Sequence, residues 1–269
     1  MPKLRILYAA SEIDPYLQHT TSAKFLRALS EYTQERGAEI RILVPRFGLI
    51  NGRKNKLHEV VRLSGVNIKV GDAINALSIK VASIPGTKLQ VYFIDNEEYF
   101  KRKALFRDKH DHFFKDNDER IIFFCKSVLE TAKRLGWPPD AIHCHDWMTS
   151  LVPVYLKTVY RGDPTLKDAK LVWTLYNNVI EDTWSKDMVA KAHMDGMPAE
   201  ALGPLATADC RGLIKAGLQY ADVVSRAEAL THSTFEGLVN AATMPCMEGD
   251  QAGMEAYYNL YQEFANARA

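Results

Sequence analysis

The stretch "LRILYAASEIDPYLQHTTSAKFLRALSEYTQERGAEIRILVP", residues 4–45, decides the fold class. Its first seven residues (4–10) are a nearly unbroken apolar run of strand length, the pattern of a strand buried on both faces. Residues 22–37 then bring Phe25, Leu26, Leu29 and Tyr32 to one side of a helix that stops at Gly37. A second apolar strand, residues 39–45, closes at Pro45. Strand, amphipathic helix and strand in forty-odd residues make one right-handed βαβ unit.

The same alternation continues outward. Between Leu57 and Ile94 three short runs, separated by Gly71 and "PGTK", suggest hairpin-type strands inserted at a sheet edge, and 89–95 (LQVYFID) rejoins the main sheet. Residues 117–136 form a helix with an acidic first turn, basic residues in its last turn and Gly136 as its stop. "DAIHCH" is a strand, "DWMTSLVPVYLKTVY" begins a helix, 169–177 is a strand, and 212–228 is a helix leading into a short strand at Val223 and Val224. A final helix at about 251–267 carries Tyr257, Leu260, Tyr261 and Phe264 on an apolar face. The expected fold is α/β: a single Rossmann-like, doubly wound, mostly parallel sheet with helices on both faces.

Composition narrows the function. The 269 residues are 47% apolar, enough for a large core, and 34 basic against 33 acidic residues leave a net charge of +1. No overall field recruits nucleic acid or an anionic membrane. Cys125, Cys144, Cys210 and Cys246 are widely spaced, with no CxxC pair, as expected of reduced thiols in a cytoplasmic protein. The start "MPKLRILYAASE" holds too short an apolar run for a signal peptide, and no stretch approaches the length of a membrane span.

The chemistry-bearing cluster is "AIHCHDWMTS", 141–150. In an open α/β sheet ligands bind beyond the carboxyl ends of the strands, and His143, His145 and Asp146 fall at such an end. On a strand the two histidines share one face and Cys144 points to the other, so the triplet cannot converge on one metal. No second His or Cys cluster supplies further ligands, and the expectation is no metal and no cofactor. The alternative to a binding role is a pair of core histidines satisfied by backbone.

"RLGWPPDAIHCHDW" resembles the corresponding segment of bacterial glycogen and starch synthases. So do "ILYAASEIDPY", "RGAEIRILVPRFG", "VYFIDNEEYFKR", "KDNDERIIFF" and "LIKAGLQYADVVSRAEA", in order and spacing, over about residues 4–235. The resemblance implies one lobe of the GT-B glycosyltransferase fold, the lobe that holds most of the growing α-glucan. It implies that Glu12, Asp116, Asn117, Arg120, His145, Asp146, Trp147 and Asn177 are the substrate-binding set, with Asp116 and His145 against the transferred glucose and the family-equivalent catalytic candidates. After "EALTHSTFEGLVNAATMP" some two dozen residues remain, so residues 1–269 read as a single N-terminal-like domain without the donor-binding domain of the family.

Three departures bear on activity. Where the family has Lys-x-Gly-Gly-Leu against the donor diphosphate, this chain has "QHTTS": Gln18 replaces the cation, and Thr20 and Thr21 replace glycines whose open backbone a phosphate needs. Losing one charge-assisted contact costs about 1.5 to 3 kcal/mol. Lys24 and Arg27 on the following helix read as a solvated face. Tyr176 stands where the family has a histidine, and Met148 where it has His or Gln. The resemblance therefore implies a glucan- or sugar-binding or regulatory relative of the synthases that is not catalytic alone, monomeric or homodimeric, with its tail helix packed on its own sheet. An enzyme of glycogen metabolism is the candidate protein partner. One alternative is half of a split transferase that uses ADP-glucose or UDP-glucose. Another, an unrelated Rossmann nucleotide binder, lacks a G-x-G-x-x-G after its first strand.

Overall fold

The computed structural model describes residues 3–178 and 180–268; the remaining positions of the expected 1–269 domain lie outside the described residues. Ten strands are present among them: β1 (Arg5–Ala9), β2 (Glu39–Pro45), β3 (His58–Glu59), β4 (Val66–Val70), β5 (Ala73–Ser83), β6 (Gln90–Asp95), β7 (Ala141–His145), β8 (Lys170–Leu175), β9 (Val223–Arg226) and β10 (Cys246–Glu248). The helices are α1 (Thr21–Glu35), α2 (Glu97–Phe100), α3 (Asn117–Leu135), α4 (Leu151–Lys157), α5 (Met188–Ala192), α6 (Cys210–Leu218), α7 (Ser233–Asn240) and α8 (Gly249–Arg268).

The sheet order is β10-β9-β8-β7-β1-β2-β6-β5-β3, with β4 paired to β5 alone. From β10 to β6 every pairing is parallel, while β5 runs antiparallel to β6 and takes β3 and β4 antiparallel at the edge. This is the expected doubly wound sheet, with the hairpin insertion where the short runs placed it. The chain builds β2 on one side of β1 and returns to place β7 on the other, so the crevice at a change of winding direction opens beyond the carboxyl ends of β1 and β7.

The two faces of the sheet carry separate cores. One packs beneath α3, α4 and α6 and includes Cys144, Phe123 and Trp173; the other lies beneath α1 and α8 and includes Ile6, Tyr8, Leu26, Tyr257 and Tyr261. Alternation along β7 sends Cys144 to the first face and its two histidine neighbours to the second.

Local chemistry sets the element ends. Helix α3 stops at Gly136, whose φ of 59° is left-handed. Asp209 caps α6 by accepting from the Gly212 amide at 2.8 Å, so that helix begins at Cys210 rather than Gly212. The helix expected from Asp146 is divided: Asp146 is left-handed (φ 64°) and caps a 3-10 turn at 147–149 before α4 starts at Leu151. β10 has no apolar run to announce it and forms by pairing with β9. α8 breaks at Gly253 (φ 69°) and packs on the chain's own sheet. It covers the face beside α1, with Tyr257 and Tyr261 fully buried, and leaves the strand-end crevice to other residues.

Candidate functional site

A cavity of about 250 Å³ sits at the crevice. Ser11 and Glu12 reach it from the end of β1, Phe47 from beyond β2, Trp147 from beyond β7 and Asn178 from beyond β8. Phe106, from the long connection between α2 and α3, closes one side, and its ring meets Trp147 edge to face at 4.7 Å. Trp147 is backed in turn by Trp184, stacked at 5.8 Å. The wall is thus mostly aromatic, with polar groups from Glu12, His19, Thr20 and Asn178.

The turn before α1 is organised by Glu12, which is 3% exposed. Its carboxylate accepts from the backbone N–H of His19, from the N–H of Thr20 at 2.8 Å, and from the hydroxyls of Thr20 and Ser22. These amides form the positive entrance to α1, where an anion would be held. Here the chain's own carboxylate occupies it. Thr20, the N-cap, has an ordinary extended backbone (φ −128°), and Gln18 turns away to donate to Asp14. Thr21 donates to Glu228. Lys24 is exposed, and Arg27 is held by Asp14 at 2.7 Å and Glu31 at 3.0 Å. The described lining of the cavity includes no lysine or arginine.

The expected substrate set divides when placed in space. Glu12 and Trp147 line the cavity. Asp146 lies directly behind it, fully buried: Oδ2 accepts from the Ser11 hydroxyl at 2.5 Å and amide at 3.2 Å, and Oδ1 from the Met148 amide at 2.8 Å. Burial pushes its carboxyl up to about 7, against the hydrogen bonds that favour the charged form. It ties the end of β1 to that of β7.

Asp116, Asn117 and Arg120 support the wall rather than form it. Arg102 grips Asp116 with both terminal guanidinium nitrogens, and these contacts outweigh burial to hold the Asp116 carboxyl below the usual range. Asn117 donates to the Phe106 carbonyl at 2.8 Å. Arg120 is fully buried, donates to the Leu105 carbonyl at 2.5 Å and to Asn117 Oδ1 at 2.6 Å, and sits among the rings of Phe47, Phe100, Phe106 and Phe114 at 5.3–5.7 Å. Burial lowers its guanidinium to about 10. The trio therefore fixes the segment that presents Leu105 and Phe106.

His145 and Asn177 do not line the cavity. His145 is directed into the core below α1, with Nδ1 2.8 Å from the Tyr176 hydroxyl and its ring near Tyr8 and Phe25. Burial lowers it to about 3, so it is neutral at physiological pH. Asn177 braces the segment after β9, donating to the Ala229 carbonyl at 2.7 Å and accepting from the Thr231 amide at 2.8 Å. Met148 is buried, and Tyr176 serves His145. Both ring nitrogens of His143 face hydroxyls, Tyr261 at 2.5 Å and Thr174 at 2.6 Å. Among the described residues no group of three or more His, Cys, Asp or Glu side chains is placed to hold a metal. The wall residues not singled out in the sequence reading are Ser11, Leu17, His19, Phe47, Leu105, Phe106, Asn178 and Ile180, and no sequence periodicity marks them.

With this geometry in hand, comparison with known proteins is specific. The family model described as "Starch synthase catalytic domain" matches residues 5–233. The chain is similar to the glycogen synthase of Chlorobium luteolum, 38% identical over 240 residues, which cover 87% of this chain and 48% of that protein. It is also similar to that of Pelodictyon phaeoclathratiforme, 36% identical over 239 residues, 86% of this chain and 48% of that one. It spans about half the length of the curated relatives it matches. Among solved structures, the catalytic domain of starch synthase IV from Arabidopsis thaliana, bound to ADP and acarbose, superposes with a TM-score of 0.73. That match has 18% identity and covers 91% of this chain and 51% of the other, a likeness of fold.

Proposed function

The chain belongs to the family of the starch synthase catalytic domain, and from this premise we propose that its strand-end cleft binds a neutral α-glucan or oligosaccharide and that the lobe of residues 3–268 does not transfer glucose by itself. The observation that carries the reading is Glu12 on the amides at the start of α1. A retaining glucosyl transfer lowers its barrier through positive charge at the departing diphosphate. A diphosphate entering here would displace a multiply hydrogen-bonded carboxylate and meet no lysine or arginine on the described wall. A neutral sugar faces neither obstacle. Phe47, Phe106 and Trp147 offer apolar faces to the C–H side of a sugar ring, and Glu12, His19 and Asn178 offer hydrogen bonds to its hydroxyls.

The two halves of this reading are tested together. Maltotetraose titrated into the protein should release heat at millimolar concentration or below, the Phe106→Ala variant should abolish it, and ADP-glucose should give none. Purified protein should incorporate no radiolabelled glucose into glycogen. Absence of maltotetraose binding ends the first half; incorporation by homogeneous protein ends the second. Incorporation that appears only on adding cell extract assigns the cleft to the acceptor side of a split transferase.

A further inference from the structure

A second cavity, of about 580 Å³, lies beside the first and has the opposite character. Arg46, Arg53, Lys80 and Lys103 all line it. Phe47 separates the two spaces: its neighbours Arg46 and Gly48 belong to the second cavity and its own ring to the first. From this arrangement we propose that the second cavity binds a phosphate or phosphomonoester dianion.

The cations are brought together by the fold. Arg46 follows β2 directly and is anchored there by its amide, which donates to the Ile94 carbonyl at 2.8 Å. Gly48 admits the next segment: a Cβ on it would lie 2.1 Å from the Lys101 carbonyl oxygen and 2.5 Å from that of Arg102. This approach, closed to any other residue, delivers Lys103 to the cavity. Gly52 lies beside the Arg46 guanidinium, where a Cβ would stand 3.5 Å from Nη2, and Arg53 follows it on the same lining.

Their charge is poorly neutralised. Lys80 pairs with Asp95 at 2.5 Å, whereas Arg46, Arg53 and Lys103 have no ion-pair partner among the described residues. The Nε of Arg46 is buried with no hydrogen-bond acceptor. No carboxylate is among the lining residues. Three unpaired cations, one with an unmet buried donor, around a space open to solvent match the acceptor-rich, doubly charged oxygens of a phosphoryl group. This inference stands whether or not the neighbouring cleft takes a sugar.

Titration calorimetry at low ionic strength tests it, with inorganic phosphate, glucose 6-phosphate and glucose as probes. Inorganic phosphate should bind, and added neutral salt should weaken it. Arg53→Gln with Lys103→Gln changes exposed side chains and should weaken binding by about tenfold or more with an unaltered melting temperature in buffer. Arg46→Gln should weaken it by a similar factor, and Lys24→Gln, at an exposed cation outside that lining, should change nothing. Tighter binding of glucose 6-phosphate than of inorganic phosphate, with no binding of glucose, identifies a sugar phosphate as the source; equal binding identifies the free anion. The proposal is overturned if phosphate gives no heat at millimolar concentration to folded protein, or if the double variant and Lys24→Gln bind it alike.

Discussion

On one face of β7, Cys144 is packed among apolar side chains beneath α3 and α4, and burial drives its thiol well above the ordinary range. On the other face, one residue to either side, His143 and His145 are equally buried but stand in a layer of hydroxyls. Tyr261 and Thr174 meet His143, Tyr176 meets His145, Tyr8 pairs with Thr33 at 3.2 Å, and Ser225 pairs with Tyr257. The first face holds mainly by apolar packing, with Trp173 and Tyr155 each donating to a backbone carbonyl. The second holds also because several elements deliver polar atoms to the same layer. A motif that resembles a sugar-binding signature is, in its first two histidines, the core of this polar layer.

The contrast can be broken most severely at α8. Tyr257→Ala removes a fully buried ring together with its contact to Ser225, and the expected loss is about 3–5 kcal/mol in urea unfolding. Leu260→Ala, half-buried on the same helix, should lose much less; equal losses would mean that bulk apolar contact, and not the hydroxyl layer, docks the helix. Tyr261→Phe keeps the ring and strands Nδ1 of His143, at about 1–3 kcal/mol.

Acid should separate the faces next. Burial lowers His145 to about 3, and burial with the neighbouring His145 lowers His143. The unfolded chain therefore takes up protons that the folded chain refuses, so their share of stability is intact above about pH 6.5 and is lost as the pH falls from there toward 3. Asp146, raised to about 7, works in reverse: its contribution is full below about pH 3.8 and is lost as the pH rises through 7. The wild-type curve blends the two, so the informative quantity is a difference. Between pH 7 and 5, wild type should lose about 2 kcal/mol more than His145→Gln; parallel curves would show that His145 titrates normally. Cys144→Ala should cost about 1 kcal/mol with no change in pH dependence, the smallest of these effects.

The sequence pattern was sufficient where the cause is local. The bounds of β2 coincide with its apolar run, α3 ends at the glycine that reads as its stop, and strand alternation alone places His143 and His145 opposite Cys144. The cleft was only half legible. Glu12 and Trp147 line it, but Phe47, Phe106 and Asn178 arrive from three separate connections whose courses no periodicity encodes. The resemblance puts Arg120 in the substrate-binding set, yet it is wrapped by four rings that converge only in the folded chain. β10 was missed because three residues without apolar alternation take their conformation from β9.

The hydroxyl of Tyr261 also ties the histidine layer to the order of synthesis. Residue 143 leaves the ribosome 118 positions before the tyrosine that meets its Nδ1. During translation, then, the central strands pass through a stage in which this imidazole must be served by water. A nascent chain paused short of α8 would expose a wet seam along β7, which the arrival of that helix seals.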